Sequence, residues 1–271
     1  MKSALMVPAD KPNLLQKLPT LECDVAIINL EDGVFDKRQA LINLQNILPT
    51  LEKTNKFIVR TNALNEGGKE EIEALKNIQN LDGFRIAKIK KPQEVEQALS
   101  LCKTQEIHLS IETKEAFSNI SQLKIDARVT TIYLGILDLF NSMNISHEII
   151  KIENQTTNYI LSKFLCDSLC ADFWPVSFVF QDYQNLDAFK LWCEFEKSLG
   201  FGAKGCISPK QVKIANEVFG NNLELEKAYE IKKIFEESIA NKISGFVHEK
   251  YGFVDEPIYK NALNIIKKAN I

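Results

Sequence analysis

The sequence predicts a TIM (β/α)8 barrel with a C-terminal helical extension. Strand-like and helix-like segments alternate from the first residues to about position 220, giving eight units in a length near the ~250 residues typical of such a barrel. The strand-like runs are short, apolar and rich in β-branched residues, as expected of strands buried on both faces. The rival, a doubly wound open sheet, wants a Gly-rich phosphate loop after its first strand. Val7-Pro8-Ala9-Asp10 is not one.

The elements follow in order. Ala4–Val7 reads as the first strand, closed by Pro8, and Pro12–Leu18 as a short helix. Val25–Leu30 is the second strand, followed by Glu31-Asp32-Gly33 and an amphipathic helix, Lys37–Leu48, stopped by Pro49. Phe57–Val59 forms the third and ends at Arg60. In Lys69–Ile78 the apolar residues Ile72, Leu75 and Ile78 recur at helical spacing. Phe84–Ile89 is the fourth strand, with a helix over Gln93–Cys102 behind Pro92. His108–Ile111 and Thr130–Leu134 are the fifth and sixth, the latter followed by a long loop, Asn141 to Asn158, with room to cover a barrel mouth. Tyr159–Leu169 reads as a helix, Val176–Phe180 as the seventh strand and Leu186–Leu199 as a helix stopped at Gly200. Gly205–Ile207 is the eighth, and Pro209 suits the first turn of a helix running to Phe219. Two further helices, Leu223–Ile239 and Pro257–Ala269, exceed what a barrel needs. The expected organisation is a catalytic barrel over residues 1–220 and an extension over 221–271, used for subunit contacts or as a lid.

Composition excludes several classes. The 271 residues are 45% hydrophobic and 25% charged, which is ordinary for a globular protein. A net charge of -3 and a pI near 5.8 give no electrostatic reason to expect a nucleic-acid partner. No apolar run approaches the roughly 20 residues that span a bilayer. The opening Met-Lys-Ser-Ala-Leu-Met-Val-Pro turns polar too soon for a signal peptide, so a cytoplasmic location is expected. The six cysteines form no CxxC pair and have no histidine at zinc-ligand spacing, and they read as reduced, mostly buried thiols. The three histidines stand in no nucleophile motif.

The chemistry concentrates where strands end. The second strand delivers Glu31 and Asp32, the third Arg60, the fourth Lys88 and Lys90, the fifth Glu112, the sixth Asp138, the seventh Asp182 and the eighth Ser208. In a TIM barrel these ends form one face, and catalytic groups come from several of them. Helix capping explains Asp182 and Ser208 equally well. It explains Glu112 and Arg60 poorly, since neither is a good cap. A carboxylate at the exit of a buried strand is costly unless something positive meets it. Glu112 and Asp138, at consecutive strand ends, therefore suggest a shared cation. With hard oxygen donors and no thiolate or imidazole cluster, Mg2+ is the expected metal. Such an ion chelates a 2-oxo or 2-hydroxy acid as a Lewis acid, and Arg60 can grip a carboxylate or an enolate oxygen.

An ordered set of motifs over nearly the whole chain resembles the β-subunit of citrate lyase and its relatives in the HpcH/HpaI aldolase family, the citramalyl-CoA and malyl-CoA lyases. The set comprises Leu5-Met6-Val7-Pro8, Asp24 to Val34 with Lys37 and Ala40, Val59-Arg60-Thr61-Asn62, and Ala87-Lys88-Ile89. It continues through Ile111-Glu112-Thr113, Gly135-x-x-Asp138-Leu139, Gly200 to Gln211, and Gly252-Phe253-Val254-Asp255-Glu256-Pro257. The resemblance implies a homotrimer or a dimer of trimers, with partner subunits of a citrate lyase complex open. It implies Mg2+ on Glu112 and Asp138, Arg60 on the substrate, and Asp255 as proton donor or acceptor reaching a neighbouring subunit's site. Glu31, Asp32 and Lys88 would orient waters and ligands. The implied activity is retro-aldol or Claisen-type carbon–carbon cleavage of an acyl-CoA/oxo-acid adduct of the citryl-CoA, citramalyl-CoA or malyl-CoA type. The alternatives are an aldolase acting on a free hydroxy-oxo-acid without CoA and a non-catalytic oxo-acid-binding or structural paralogue.

The chain departs from the family pattern in places. Leu41 stands where a basic residue is usual, leaving Lys37 or Arg38 for a CoA phosphate. Ser208 replaces a histidine, Leu137 an acidic residue, Ala116 a glycine and Ala87 a proline.

Overall fold

A computed structural model describes residues 1–102, 104–220, 223–241 and 243–269. The chain forms two compact units, Met1–Phe219 and Gly220–Ile271. The expected domain boundary borders residues 221 and 222, which lie outside the described residues.

The first unit contains eight parallel strands: β1 (Ser3–Pro8), β2 (Val25–Asn29), β3 (Lys56–Thr61), β4 (Gly83–Ile86), β5 (Glu106–Ile111), β6 (Val129–Leu134), β7 (Trp174–Val176) and β8 (Lys204–Cys206). They pair in the order β7-β6-β5-β4-β3-β2-β1-β8. Ser177, one residue past β7, bridges to β8: its N–H donates to the Ala203 carbonyl and its own carbonyl accepts from the Gly205 N–H, each at 3.1 Å. This bridge brings the two end strands together and nearly closes the sheet into a barrel.

The helices between strands are α1 (Pro12–Leu15), α2 (Lys37–Ile47), α3 (Gly68–Leu75), α4 (Pro92–Leu101), α5 (Lys114–Ser118), α6 (Ile136–Ser142), α7 (Gln155–Cys170), α8 (Leu186–Leu199) and α9 (Pro209–Phe219). Their starts follow local chemistry. Asp36 caps α2 by accepting from the Gln39 N–H at 2.8 Å, and Asn185 caps α8 by accepting from the Ala188 N–H at 3.1 Å. Gly200 ends α8 in the left-handed conformation, φ 110°, where glycine alone carries no Cβ penalty. Pro49 sits inside a 3-10 turn, Leu48–Thr50, that continues directly from the end of α2.

Strand alternation sorts side chains into two layers. Ala4, Val25, Ile27, Ile58, Tyr133 and Val176 come from strands all round the ring and pack together, so they fill the barrel interior. Their neighbours Leu5, Ala26, Ile28, Phe57, Val59, Ile132 and Leu134 face outward and join the helices in the larger core. Two residues beyond inward Ile58, Arg60 also points inward. Strand register aligns Asn29, Arg60, Arg85, His108 and Thr131 across β2 to β6, which sets a polar band inside the barrel.

The seventh strand lies at Trp174–Val176 rather than the expected Val176–Phe180. The apolar run is buried, but by helix packing instead of a ladder. Phe178 packs edge-on against Trp192 of α8 with centroids 5.1 Å apart, and the Lys204 ammonium sits 3.8 Å above its ring. Lys204 is fully buried with Glu196 of α8, Nζ to Oε1 at 2.5 Å, and the pair ties β8 to that helix. Removing one partner strands the other charge in the core. Lys204→Met is therefore expected to cost about 3–5 kcal/mol of stability, read as a lower urea midpoint. Adding Glu196→Leu should restore most of it. A double variant no more stable than the single would contradict this account.

Most of the thiols are buried, as expected. Cys23, Cys102, Cys193 and Cys206 are buried, whereas Cys166 and Cys170 are exposed on α7. Helical spacing of 3.6 puts both on the outer face. Burial raises the pKa of Cys23 and Cys102 to about 11. A thiol reagent should label Cys166 and Cys170 in the folded protein and the other four only on denaturation. Peptide mapping reads the outcome.

The second unit has two helices, α10 (Leu223–Ala240) and α11 (Glu256–Ala269), and between them an antiparallel hairpin of β9 (Phe246–His248) and β10 (Gly252–Val254). Ala228, Ile231, Phe235, Val254 and Ala262 form its small core, with Phe235 and Tyr259 stacked at 4.6 Å.

Candidate active site

The carboxyl ends of β2, β3, β4 and β5 bring four of the expected side chains together. Arg60, the next-to-last residue of β3, reaches across to Glu31 just past β2, with Nη2 2.6 Å from Oε2. The same nitrogen lies 3.6 Å from Oε2 of Glu112, just past β5. Lys88, beyond β4, places its ammonium 3.3 Å from the other oxygen of Glu31. Nη1 of Arg60 donates to the Asn29 side-chain oxygen at 3.4 Å. Glu31 and Glu112 are each 3% exposed and Arg60 8%, so these charges interact with little solvent screening.

Backbone geometry holds the two carboxylates in place. The Asp32 N–H donates to Glu31 Oε2 at 2.9 Å. Lys88 takes φ 54°, a left-handed conformation costing a non-glycine residue about 1–3 kcal/mol. That turn aims the Lys88 N–H at Glu112 Oε1, 2.7 Å away. Gly135 caps α6 and leaves room for Glu112; a Cβ there would lie 2.6 Å from the Glu112 Cβ and 2.8 Å from Oε2. Gly135→Ala should therefore displace the carboxylate and weaken Mg2+ binding by about 10–100-fold, as for residues that orient a ligand, measured by Mg2+ titration. Unchanged affinity would break the link between Gly135 and the Glu112 position.

The electrostatics divide the carboxylates. Burial opposes ionisation of Glu31, yet Arg60, the donors of Asp32 and Lys88 overcome it and hold its pKa below the usual range. Burial dominates at Glu112 and pushes its pKa up, despite Arg60, Arg85 and the Lys88 N–H. Asp32, though exposed, is raised by partial desolvation and by neighbouring Glu31. Burial lowers Lys88 but the carboxylates around it prevail, so its pKa is raised.

Asp138 lies half-buried in the first turn of α6, three residues past Gly135 and thus one helical turn from the backbone that packs on Glu112. Among the described residues no three His, Cys, Asp or Glu side chains group as a metal site by themselves. A pair of carboxylates is what Mg2+ uses, with water and substrate oxygens completing its shell. Glu112 fits that role: burial leaves its charge undercompensated, and its Oε2 meets Arg60 only beyond hydrogen-bond range.

The other expected residues have further local partners. Asp32 is exposed at the rim, and its carbonyl accepts from the Asn29 amide at 2.7 Å. Asp255 belongs to the second unit, where Oδ1 accepts from the Ile258 N–H at 3.2 Å and caps α11. Ser208 accepts from the Gln211 N–H at 3.3 Å, a helix cap, while Lys90 and Asp182 are exposed. Several motif residues prove to be braces. Thr113 donates to the Ile89 carbonyl at 2.7 Å, and buried Gln211 accepts from the Ile207 N–H at 2.8 Å and donates to the Phe180 carbonyl at 3.1 Å. Lys37 donates to the Asn62 side chain, and Leu41 packs against the core, so of this helix's basic residues Arg38 is exposed and, among the described residues, unpaired.

Beneath the cluster lies a second polar tier that strand-end position does not mark. Arg85 of β4 donates through Nε to the Ser110 hydroxyl at 2.8 Å, and its guanidinium carbon sits 4.1 Å from the Tyr133 ring centroid. The Tyr133 hydroxyl and His108 Nδ1 are 3.1 Å apart, His108 Nε2 and Glu106 Oε2 are 3.1 Å apart, and Glu106 pairs with Lys56 at 2.6 Å. Burial lowers the His108 pKa, and pushes that of Arg85 down to about 10, leaving the guanidinium charged at neutral pH. The available signal is alternation: His108, Ser110 and Glu112 fall at every second position along β5 and its exit.

Comparison with known proteins adds three findings. The HpcH/HpaI aldolase/citrate lyase family model matches residues 2–209. A (3S)-malyl-CoA thioesterase of Cereibacter sphaeroides is 26% identical over 242 residues, covering 88% of this chain and 84% of that protein. An L-malyl-CoA/beta-methylmalyl-CoA lyase of the same species is 25% identical, covering 98% and 94%, and the mitochondrial citramalyl-CoA lyase of Rattus norvegicus 23%, covering 99% and 86%. Among solved structures, the CitE protein of Mycobacterium tuberculosis in complex with magnesium, acetoacetate and coenzyme A superposes with a TM-score of 0.80 at 19% identity, covering 100% of this chain and 98% of that one. The citrate lyase beta subunit from the same organism, complexed with oxaloacetate and magnesium, gives 0.70 at 19% identity, covering 80% and 96%. At such identity the structural likeness concerns the fold.

Proposed function

We propose a function on one premise: this chain belongs to the HpcH/HpaI aldolase/citrate lyase family. It is a Mg2+-dependent carbon–carbon lyase acting on a hydroxyacyl-CoA of the malyl-CoA, citramalyl-CoA or citryl-CoA type. The observation that carries this reading is the buried Glu31–Arg60–Glu112 cluster at the carboxyl ends of the barrel strands. Relatives named as lyases for malyl-CoA and citramalyl-CoA support it.

In this reading Glu112 and Asp138 hold Mg2+, which supplies a Lewis acid that polarises the oxygens of the oxo-acid half. Arg60 is kept in place by Glu31 and Asn29, and it faces the oxygen on which charge develops. Glu31 stays ionised and pins both Arg60 and Lys88. Cleavage breaks the bond between the hydroxyl-bearing carbon and the carbon next to the thioester. The hydroxyl proton leaves, the former carbinol becomes a carbonyl, and the acyl-CoA enolate takes up a proton. Asp255, brought by a neighbouring copy in a trimeric assembly, is the group assigned to that proton. Residues 221–271 would serve that subunit contact. Arg38 takes the place of the missing basic residue at Leu41 in meeting a CoA phosphate. The enzyme works in the cytoplasm.

Thioester hydrolysis is the second reading, favoured by the likeness to (3S)-malyl-CoA thioesterase. One assay separates them. The protein is incubated with Mg2+ and each hydroxyacyl-CoA, and free thiol and 2-oxo acid are followed together. A lyase yields 2-oxo acid without thiol; a thioesterase yields thiol without 2-oxo acid. If neither product forms from any of the three esters, the lyase assignment fails.

A further inference from the structure

We propose that Arg85 is a specificity-determining residue in the floor of this site, binding a second carboxylate on the 2-oxo acid half of the substrate. The proposal rests on the site reading above and adds to it a residue and a selectivity.

Arg85 lies on β4, between the strand that carries Arg60 and the strand that leads to Glu112, and it pairs in register with Arg60 on one side and His108 on the other. It is only 6% exposed. A buried guanidinium normally spends its charge on an ion pair and its five donors on acceptors. Arg85 does neither. Arg60 takes the direct contacts with Glu31 and Glu112, at 2.6 and 3.6 Å. Of Arg85's donors, Nε alone has a recorded acceptor among the described residues, the Ser110 hydroxyl at 2.8 Å.

The side chain is nonetheless held in one orientation. Tyr133 stacks under the guanidinium at 4.1 Å, a contact that stabilises the cation without using an N–H. His108 braces the Tyr133 hydroxyl from below, and Glu106 braces His108 in turn. The planar fork is thus preorganised with its two terminal nitrogens uncommitted. That geometry suits a bidentate carboxylate. The first carboxylate and the oxo group of a 2-oxo acid are accounted for by Glu112, Asp138 and Arg60 in the reading above. What remains for Arg85 is a further anionic group on the same half, one carbon or more away.

Pyruvate and oxaloacetate differ by just such a carboxylate, which makes them the probes. Binding of each to the full-length protein is measured by calorimetry with and without Mg2+, using freshly neutralised oxaloacetate, for the wild type, Arg85→Met and Arg85→Lys. Wild type should bind oxaloacetate at least about tenfold more tightly than pyruvate. Arg85→Met should bind the two about equally, with pyruvate affinity changed less than about threefold, and Arg85→Lys should keep part of the preference as a point charge. Mg2+-dependent pyruvate binding with no oxaloacetate preference in the wild type overturns the role of Arg85 and leaves the lyase site standing. So does a preference that survives in Arg85→Met. If Arg85→Met does not fold, the wild-type ratio and Arg85→Lys decide alone: a full preference kept by the lysine variant counts against the fork geometry. Binding of neither acid, with or without Mg2+, overturns both readings.

Discussion

Glu112→Gln is expected to lower kcat/KM for Mg2+-dependent cleavage by at least about 10²-fold, the scale of losing a group that stabilises developing charge in a closed site. The substitution keeps the shape of the side chain and its acceptance from the Lys88 N–H at Oε1. It removes the formal charge that a divalent cation needs. Because burial already penalises that charge, the folded protein should tolerate its loss and melt no lower than wild type. Activity and stability are thus predicted to move in different directions. Steady-state kinetics over a range of Mg2+ concentrations, together with thermal unfolding, read both. Wild-type kcat/KM at saturating Mg2+ would show that Glu112 is not a metal ligand.

Arg60→Met is the variant with the largest combined effect. It removes the cation between Glu31 and Glu112, leaving Glu31 with part-exposed Lys88 at 3.3 Å and Glu112 with the more distant Arg85. Breaking a buried pair on one side costs about 3–5 kcal/mol, which denaturant unfolding would register as a lower midpoint. Turnover should fall below detection if Arg60 has the substrate-binding role proposed for it. Arg60→Met with Glu31→Gln tests the two effects apart. The double variant should regain much of the stability, because the uncompensated charge is gone, and none of the activity. A single variant as stable as wild type would show that Arg60 does not carry the charge balance of the cluster.

Much of this protein is written locally. The alternation of apolar β-branched runs with amphipathic segments determines strands and helices, and eight such units in this length point to a barrel. Glu31, Arg60, Lys88 and Glu112 stand out because a charged residue at the end of a buried strand has few structural excuses, and the structure brings those four together. The seventh strand shows the limit of the same reasoning. Phe178 is as apolar as a strand residue, but Trp192 and Lys204 bury it outside the ladder, and hydrophobicity does not report which partner does the burying. The exposed Cys166 and Cys170 show it again, since residue type says nothing of which helix face meets the core.

The tertiary structure alone decided the remainder. Closure of the ring brings side chains from different strands to one axis, so Arg85 meets Tyr133 and Ser110, and the packing of α8 on β8 pairs Lys204 with Glu196. It also decides that Gly135 matters for the space it leaves to Glu112 and that Arg60 occupies the donors' side of both carboxylates. The physical reason is one of range. Strand and helix formation depend on residues a few positions apart, which a sequence displays, whereas burial of charge and its compensation depend on distances through space, which only the closed barrel sets.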